Sequence, residues 1–336
     1  MKQSVWRKRV KKVVVGTAVF ILLLALTGVL YQFVSTKADQ RTYAPPGQLV
    51  DVGGYQMHIT CMGEGSPTVV LDHAGGANSA EWALVQPLVA AQTQVCAYDR
   101  AGFGWSESNP TPRTAAQSAQ ELHTLLANAG LEGPFVLVGH SYGANVARVF
   151  AADFPEESAG LVLVDPGTMF GRPKVPADVD AAWRTADVGF MNIAPWLARL
   201  GVIRLAGALG GLPGHDDLPA GAFDALQLTN QFFDTLKAES QGMADTSVQV
   251  LAAEDYLTDQ PLIVLSAGEP VDDAGREVWT AVNAAIAARS SLGSHQVISH
   301  AGHMALVVEQ PYAQVTANAI LEIVAVVRGT AVASID

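Results

Sequence analysis

Ser141, at the centre of Gly139-His140-Ser141-Tyr142-Gly143, His303 in Ala301-Gly302-His303-Met304, and a carboxylate at Asp165 are residue types that together could transfer an acyl group. A serine hydroxyl is a weak nucleophile until a base takes its proton, and an imidazole oriented by a carboxylate is the usual device. The pentapeptide by itself arises easily by chance, so its flanks carry the weight. Phe135–Val138 is an apolar run with two valines, which reads as a buried strand. Ala144–Phe150 has helical composition. Strand, tight turn and helix form the setting in which two glycines let the backbone turn sharply and project Ser141 from a strained corner. His303 is the best candidate base, on a loop after the last strand.

The elements that must position these groups alternate along the chain. Gln48–Val52 and Tyr55–Cys61 flank Gly53-Gly54 and read as a hairpin. Thr68–Leu71, Gln94–Tyr98, Phe135–Val138, Leu161–Val164, Leu262–Leu265 and His295–Ile298 read as further strands. Helices are expected at Glu81–Ala91, after Thr114 (which reads as a capping box with Gln117) as far as Gly130, at Glu277–Arg289, and from Gln310 to Val327. Alternation of this kind implies an α/β fold with a mostly parallel sheet covered by helices on both faces. Reactive groups in such sheets gather at the carboxyl ends of the strands, where Ser141, Asp165 and the Gly75 loop all fall. The alternation is interrupted over residues 166–260, which hold Met169, Phe170, Trp183, Phe190, Met191, Trp196, Phe223, Phe232 and Phe233 at helical spacing without a convincing strand. This segment reads as a helical lid inserted into a core of residues 48–165 and 261–336. Its glycine-rich stretch from Gly207 to Gly214 follows no strand, which argues against a phosphate loop.

The formal net charge is −12 over 336 residues, but residues 1–34 contain six basic residues and no acid. For the remainder, 14 basic residues stand against 32 acidic ones, a balance of −18. An acidic body of this kind argues against a general nucleic-acid binder. Residues 1–12 form a basic tail, and the uncharged run from Val13 to Val34 meets the roughly 20 residues needed to cross a bilayer as a helix. An uncleaved transmembrane anchor is the favoured reading over a cleaved signal, because the run is long and no clean small-x-small site follows it. The charge bias places the N-terminus inside and everything after Val34 on the extracytoplasmic side. Residues 35–47, ending in Pro45-Pro46-Gly47, read as a linker.

From about Gln48 to Val327 the chain resembles a capped α/β-hydrolase, in the branch related to proline iminopeptidases, epoxide hydrolases and haloalkane dehalogenases. The residues that carry the resemblance are Pro67–Leu71 with its loop, Asp99-Arg100-Ala101-Gly102-Phe103-Gly104-Trp105-Ser106, Gly139–Gly143, Leu161–Asp165 and Gly302-His303. Their order matches the superfamily's nucleophile, acid, histidine sequence. The resemblance implies an eight-stranded sheet and an oxyanion hole made by two backbone N–H groups, here Tyr142 and Gly75. His73-Ala74 stands where relatives carry His-Gly, which leaves Gly76 as an alternative donor. Most relatives place the acid after the seventh strand, where Asp272 misses the usual spacing by one; others place it after the sixth, where Asp165 stands. Asp165 is therefore preferred, with Asp272 as the alternative. The implied strand order sets the second and fourth strands side by side, each with one cysteine, so Cys61 and Cys96 could pair, or remain two buried thiols.

Together with the apolar N-terminal run, the resemblance implies a membrane-anchored serine hydrolase acting on a small-molecule acyl substrate, an ester being the most economical choice, with no cofactor. Ser141 argues against the epoxide- and halide-processing relatives, which use an aspartate nucleophile. Aminopeptidase-like, carbon–carbon bond hydrolase and haloperoxidase chemistries stay open on the same fold, as does a non-catalytic hydrolase-fold binding protein. His73 and His140 read as packed, hydrogen-bonded groups. Asp99 and Arg100 read as fixing the loop after the fourth strand, and Trp105 as lining a pocket or plugging that loop. His300 and His303 lack the further ligands that a zinc site needs.

Overall fold

The computed structural model describes residues 2–109, 112–166, 188–209, 221–269 and 273–330. Eight strands form one sheet: β1 (Gln48–Asp51), β2 (Gln56–Met62), β3 (Val69–Asp72), β4 (Val95–Tyr98), β5 (Phe135–His140), β6 (Ser158–Val164), β7 (Leu262–Ala267) and β8 (Gly293–Ile298). Their order is β1-β2-β4-β3-β5-β6-β7-β8. The first two junctions, β1 with β2 and β2 with β4, are antiparallel; every later one is parallel.

The parallel strands are apolar without interruption because both of their faces are covered. A period of two is still present within them. Leu137, Leu161, Leu163, Leu262 and Val264 enter the core on one side. Val136, Val138, Val162, Ile263 and Leu265 enter the core on the other. Helices α3 (Ala115–Asn128) and α4 (Gly143–Asp153) cover the first side, while α2 (Gln86–Ala90) and the C-terminal α11 (Gln310–Val327) cover the second. Between β6 and β7 lie α5 (Val188–Arg199), α6 (Val202–Ala208), α7 (Ala222–Gln227) and α8 (Asn230–Ala253). Helix α9 (Asp273–Ala287) joins β7 to β8, and the short α10 (Ala305–Val308) follows the His303 loop. Met169, Phe170, Trp183, Asp272 and the stretch 210–220 lie outside the described residues.

Three local expectations are modified. The segment expected as one helix over Glu81–Ala91 is a 3-10 turn, Ser79–Ala83, followed by α2, with Pro87 in the first turn of α2. Helix α3 has the expected Thr114 cap, whose hydroxyl accepts from the Gln117 N–H at 3.3 Å. The Gln117 side chain, however, donates forward to Glu121 rather than back to the cap. The stretch from Ser35, expected as a linker, is helical through Thr42, so α1 is continuous over Lys2–Thr42. Nothing between Ser35 and Thr42 breaks a helix; the breakers come at Pro45-Pro46-Gly47. Side-chain bonds also hold this end against the body. Gln32 donates to the Leu228 carbonyl at 2.7 Å, Arg204 pairs with Asp39 at 2.6 Å, and the Trp105 indole donates to the Tyr43 carbonyl at 2.9 Å.

Cys61 and Cys96 stand directly opposite each other in the β2–β4 register and are joined as a disulfide. Its removal relaxes a closed loop with a sequence separation of 35 in the unfolded chain. We expect the Cys61→Ser/Cys96→Ser double variant to lose about 2–4 kcal/mol of stability, read as a lower urea midpoint. Unreduced wild-type protein should yield no alkylated thiol.

Candidate active site

The turn that follows β5 is sterically forced. A Cβ on Gly139 would collide with the Gly143 backbone and the Ala144 nitrogen, and a Cβ on Gly143 would collide with the Asp72 carbonyl. Both glycines of the pentapeptide are thus required by close backbone approach. Ser141 between them takes φ 52°, a conformation that costs a non-glycine residue of order 1–3 kcal/mol and that clusters at functional sites. Its N–H donates to the Val164 carbonyl at 2.9 Å, which ties the serine to the end of β6.

Asp165 is the next residue after β6 and also has positive φ, 43°. Its two carboxylate oxygens are divided between two jobs. Oδ1 accepts from the Ala267 N–H at 3.1 Å, from the Trp279 indole at 2.8 Å and from Asn283 at 3.4 Å. Oδ2 accepts from His303 Nδ1 at 2.6 Å. Burial would push the Asp165 carboxyl up, but the bond from His303, its charge, and the Ala267 and Trp279 donors together hold it below the usual carboxylate range. His303 is further fixed through its backbone, since its carbonyl accepts from His140 Nε2 at 3.1 Å. His140 immediately precedes Ser141, and its ring lies 4.8 Å, centroid to centroid, from that of His303. With Nδ1 committed to Asp165, His303 keeps Nε2 as its remaining basic nitrogen.

On the other side of Ser141 runs the loop after β3. A Cβ on Gly75 would sit 3.4 Å from Tyr142 Cβ, so the two residues expected to supply oxyanion donors are neighbours. Among the described residues, neither the Gly75 nor the Tyr142 N–H donates to a protein acceptor. The peptide between Ala74 and Gly75 is held from its carbonyl side: the Ala74 oxygen accepts from His73 Nδ1 at 2.8 Å and from Arg100 at 3.0 Å. Its neighbour, the Ala74 N–H, donates to Glu81 at 2.9 Å. Because the peptide is planar, fixing the Ala74 carbonyl also fixes the direction of the Gly75 N–H. His73 is completely buried, and desolvation, with the Arg100 charge beside it, holds its pKa well below the ordinary value. It stays neutral, with Nδ1–H donating and Nε2 accepting from the Arg100 N–H at 3.2 Å.

Arg100 is the hub of this loop. Its buried guanidinium pairs with Asp72 and with Glu239 of α8, and also donates to the His73 carbonyl. The Tyr98 hydroxyl donates to the other Asp72 oxygen. Burial pushes the Asp72 and Glu239 carboxyls up, against the pull of the cation they share. Arg100 therefore fixes the loop after β3 as well as its own. Asp99 holds the loop after β4, accepting from the Ser79 and Trp105 N–H groups and from His58. Trp105 lines a cavity of about 850 Å³ bounded by α1, α7 and the start of α8. Glu239, Glu81, Trp279 and Asn283 are not recognisable as site residues in the sequence. None lies in a motif, and each reaches the site from an element whose docking no local pattern encodes. The described residues contain no cluster that could hold a metal ion.

Two stability measurements follow from this geometry. Arg100→Met strands the Asp72 and Glu239 carboxylates and should cost about 3–5 kcal/mol in urea unfolding; adding Glu239→Gln should recover part of that loss. For Asp165 the folded pKa is depressed from 3.8, so its contribution is fully present above that value and is lost as pH falls through the lower, folded one. The part of the stability gap between wild type and Asp165→Asn that comes from the Asp165 charge should be lost as pH falls below about 4.

The comparisons with known proteins agree with this architecture. An uncharacterized protein of Schizosaccharomyces pombe is 26% identical over 297 residues, covering 79% of this chain and 54% of its own length. The chain spans at most about half of the length of the first curated relatives it matches. Among solved structures, a thermophilic esterase from Thermogutta terrifontis superposes with a TM-score of 0.60 at 20% identity, over 83% of this chain and 100% of that one. A membrane phospholipase A superposes with a TM-score of 0.59 at 22% identity, over 93% and 98%. The profile of the Alpha/beta hydrolase family matches residues 69–318, which include every strand from β3 to β8 and well over half of the sequence, and the chain belongs to that family.

Proposed function

We propose that this hydrolase cleaves an ester or related acyl bond through a Ser141-His303-Asp165 triad and a covalent acyl-enzyme. The observation that carries the reading is the 2.6 Å bond between Asp165 Oδ2 and His303 Nδ1, made beside a serine held at positive φ. Ser141 Oγ attacks the substrate carbonyl while its proton passes to His303 Nε2, and Asp165 stabilises the imidazolium. The Tyr142 and Gly75 N–H groups receive the negative charge that develops on the carbonyl oxygen, each worth about 2.7–4 kcal/mol of transition-state stabilisation. Collapse of the tetrahedral intermediate expels the alcohol, which takes the proton from His303. Water then adds to the acyl carbon, its proton going to His303, and the acid leaves as the Ser141 proton is restored.

Asp165 serves as the acid in this reading, because its four donors preorganise a carboxylate whose second oxygen faces His303. The inserted helices act as a lid, connected to the oxyanion loop through Glu239 and Arg100. Helix α1 anchors the enzyme in a membrane, with the basic tail inside and the catalytic body on the extracytoplasmic side. No residue of its most apolar window is buried in the folded body, and most are exposed, as on a lipid-facing helix.

A serine-directed fluorophosphonate probe should label the wild type and leave Ser141→Ala blank; equal labelling of both would overturn the assignment. Asp165→Asn should lower kcat for a short aryl ester by about 10³–10⁴-fold. Asp272→Asn should leave it near the wild-type value.

A further inference from the structure

Helices α5 and α6 are apolar on both faces. Ala194, Ala198 and Ile203 turn inward and pack with Phe103, Phe232 and Phe233. The outward face should then be polar, as it is on a helix that meets water. Instead it presents Ile193, Trp196 and Leu200 from α5 and its end, and Val202, Leu205 and Leu209 from α6 and its end. Each set follows the i, i+3, i+7 spacing of a single helix face. Trp196 is 68% exposed and Leu209 is 78% exposed. Among residues 188–209 there is no acidic side chain, although the chain beyond residue 34 carries a balance of −18. The two basic residues of the stretch are Arg204, which is buried against α1, and Arg199, which pairs with Asp234 and lies over the Trp196 ring.

The position of this face relative to α1 identifies what covers it. Gly28 of α1 touches the α5–α6 corner so closely that a Cβ there would collide with the Leu200 carbonyl, and Gly201 packs against Gly28 and Tyr31. Gly28 lies within the uncharged run that ends at Val34, six residues before its end, or about 9 Å along a helix rising about 1.5 Å per residue. An α1 that spans a bilayer therefore holds the α5–α6 corner below the level at which its own apolar run ends. We propose that the outward face of α5 and α6 is immersed in the outer leaflet of the same membrane, as a second, monotopic contact continuous with the anchor. This rests on the reading of α1 as a membrane anchor. Trp196 and Arg199 have the chemistry of the headgroup boundary, an amphipathic ring and a charge on a long apolar stem. The immersed face brings the inserted helices to the lipid, and so sets amphiphiles dissolved in the leaflet beside the enzyme.

Because both native cysteines are joined, one introduced cysteine gives a unique thiol for an environment-sensitive fluorophore. The full chain would be reconstituted in phosphatidylcholine vesicles with and without spin-labelled lipid. Three labels would be compared: Leu23→Cys in α1, Leu205→Cys on the proposed face, and Val248→Cys on α8, which is 69% exposed. The Leu23 and Leu205 labels should emit to the blue and lose most of their emission to the spin-labelled lipid, while the Val248 label stays water-like and unquenched. An unquenched Leu23 label would remove the anchor reading itself. A quenched Leu23 label beside a water-like Leu205 label would overturn this inference alone. A blue-shifted Leu205 label that lipid spins do not quench, and that crosslinks to a second copy, would overturn it in favour of self-association. Leu209→Cys repeats the measurement at the far end of the face if Leu205→Cys does not fold.

Discussion

One buried guanidinium joins the parts of this protein that must act together. Arg100 follows β4, its partner Asp72 ends β3, and its second partner Glu239 comes from the middle of α8 in the inserted segment. Two carboxylates and a cation in a dry interior are costly to assemble and more costly to break. What the arrangement secures is a backbone geometry. The same guanidinium that neutralises the acids holds the His73 and Ala74 carbonyls, and the peptide that follows carries the Gly75 N–H. The loop after β3 cannot relax without exposing the charges beneath it.

Ser141 depends on a complementary constraint, in which the limiting quantity is space rather than charge. The first turn of α4 passes against the Asp72 carbonyl so closely that only glycine fits at 143, and β5 meets the same turn so closely that only glycine fits at 139. The two loops are therefore locked against each other at Asp72, which serves as a steric stop for one and an ion-pair partner for the other.

Much of this was legible from residues whose signals are local. Gly-x-Ser-x-Gly after an apolar run specifies a strand, a sharp turn and a helix by steric rules that act within a few residues. The strands at Leu161–Val164 and Leu262–Leu265 are recognisable because burial on both faces removes polar residues altogether. Asp165 lies at a strand end, but so do Asp72 and Asp99, and it was the resemblance to relatives with the acid after the sixth strand that singled it out. Glu239 did not stand out, since an acid in a long helix of mixed composition looks like any solvated charge until the docking angle of α8 is known. The continuation of α1 past Val34 was hidden for a similar reason. Polar composition after Ser35 resembles a linker, and only Gln32, Asp39 and their partners Leu228 and Arg204 show it to be a docked helix. The forward turn of Gln117 toward Glu121 likewise depends on a neighbour, Arg113, that forks onto the same carboxylate.

The unbroken course of α1 from Lys2 to Thr42 has a kinetic consequence. A flexible tether lets a domain swivel and sample a volume, so its encounters depend on chain entropy. A helix of this length, pinned at its far end by Arg204 and Gln32, works as a strut. In the anchored arrangement proposed above, it would fix both the height and the tilt of the folded body relative to the bilayer. Under that proposal, encounter would be a two-dimensional search with the orientation already set, and the ordering entropy would be lost once, at insertion, rather than at every turnover.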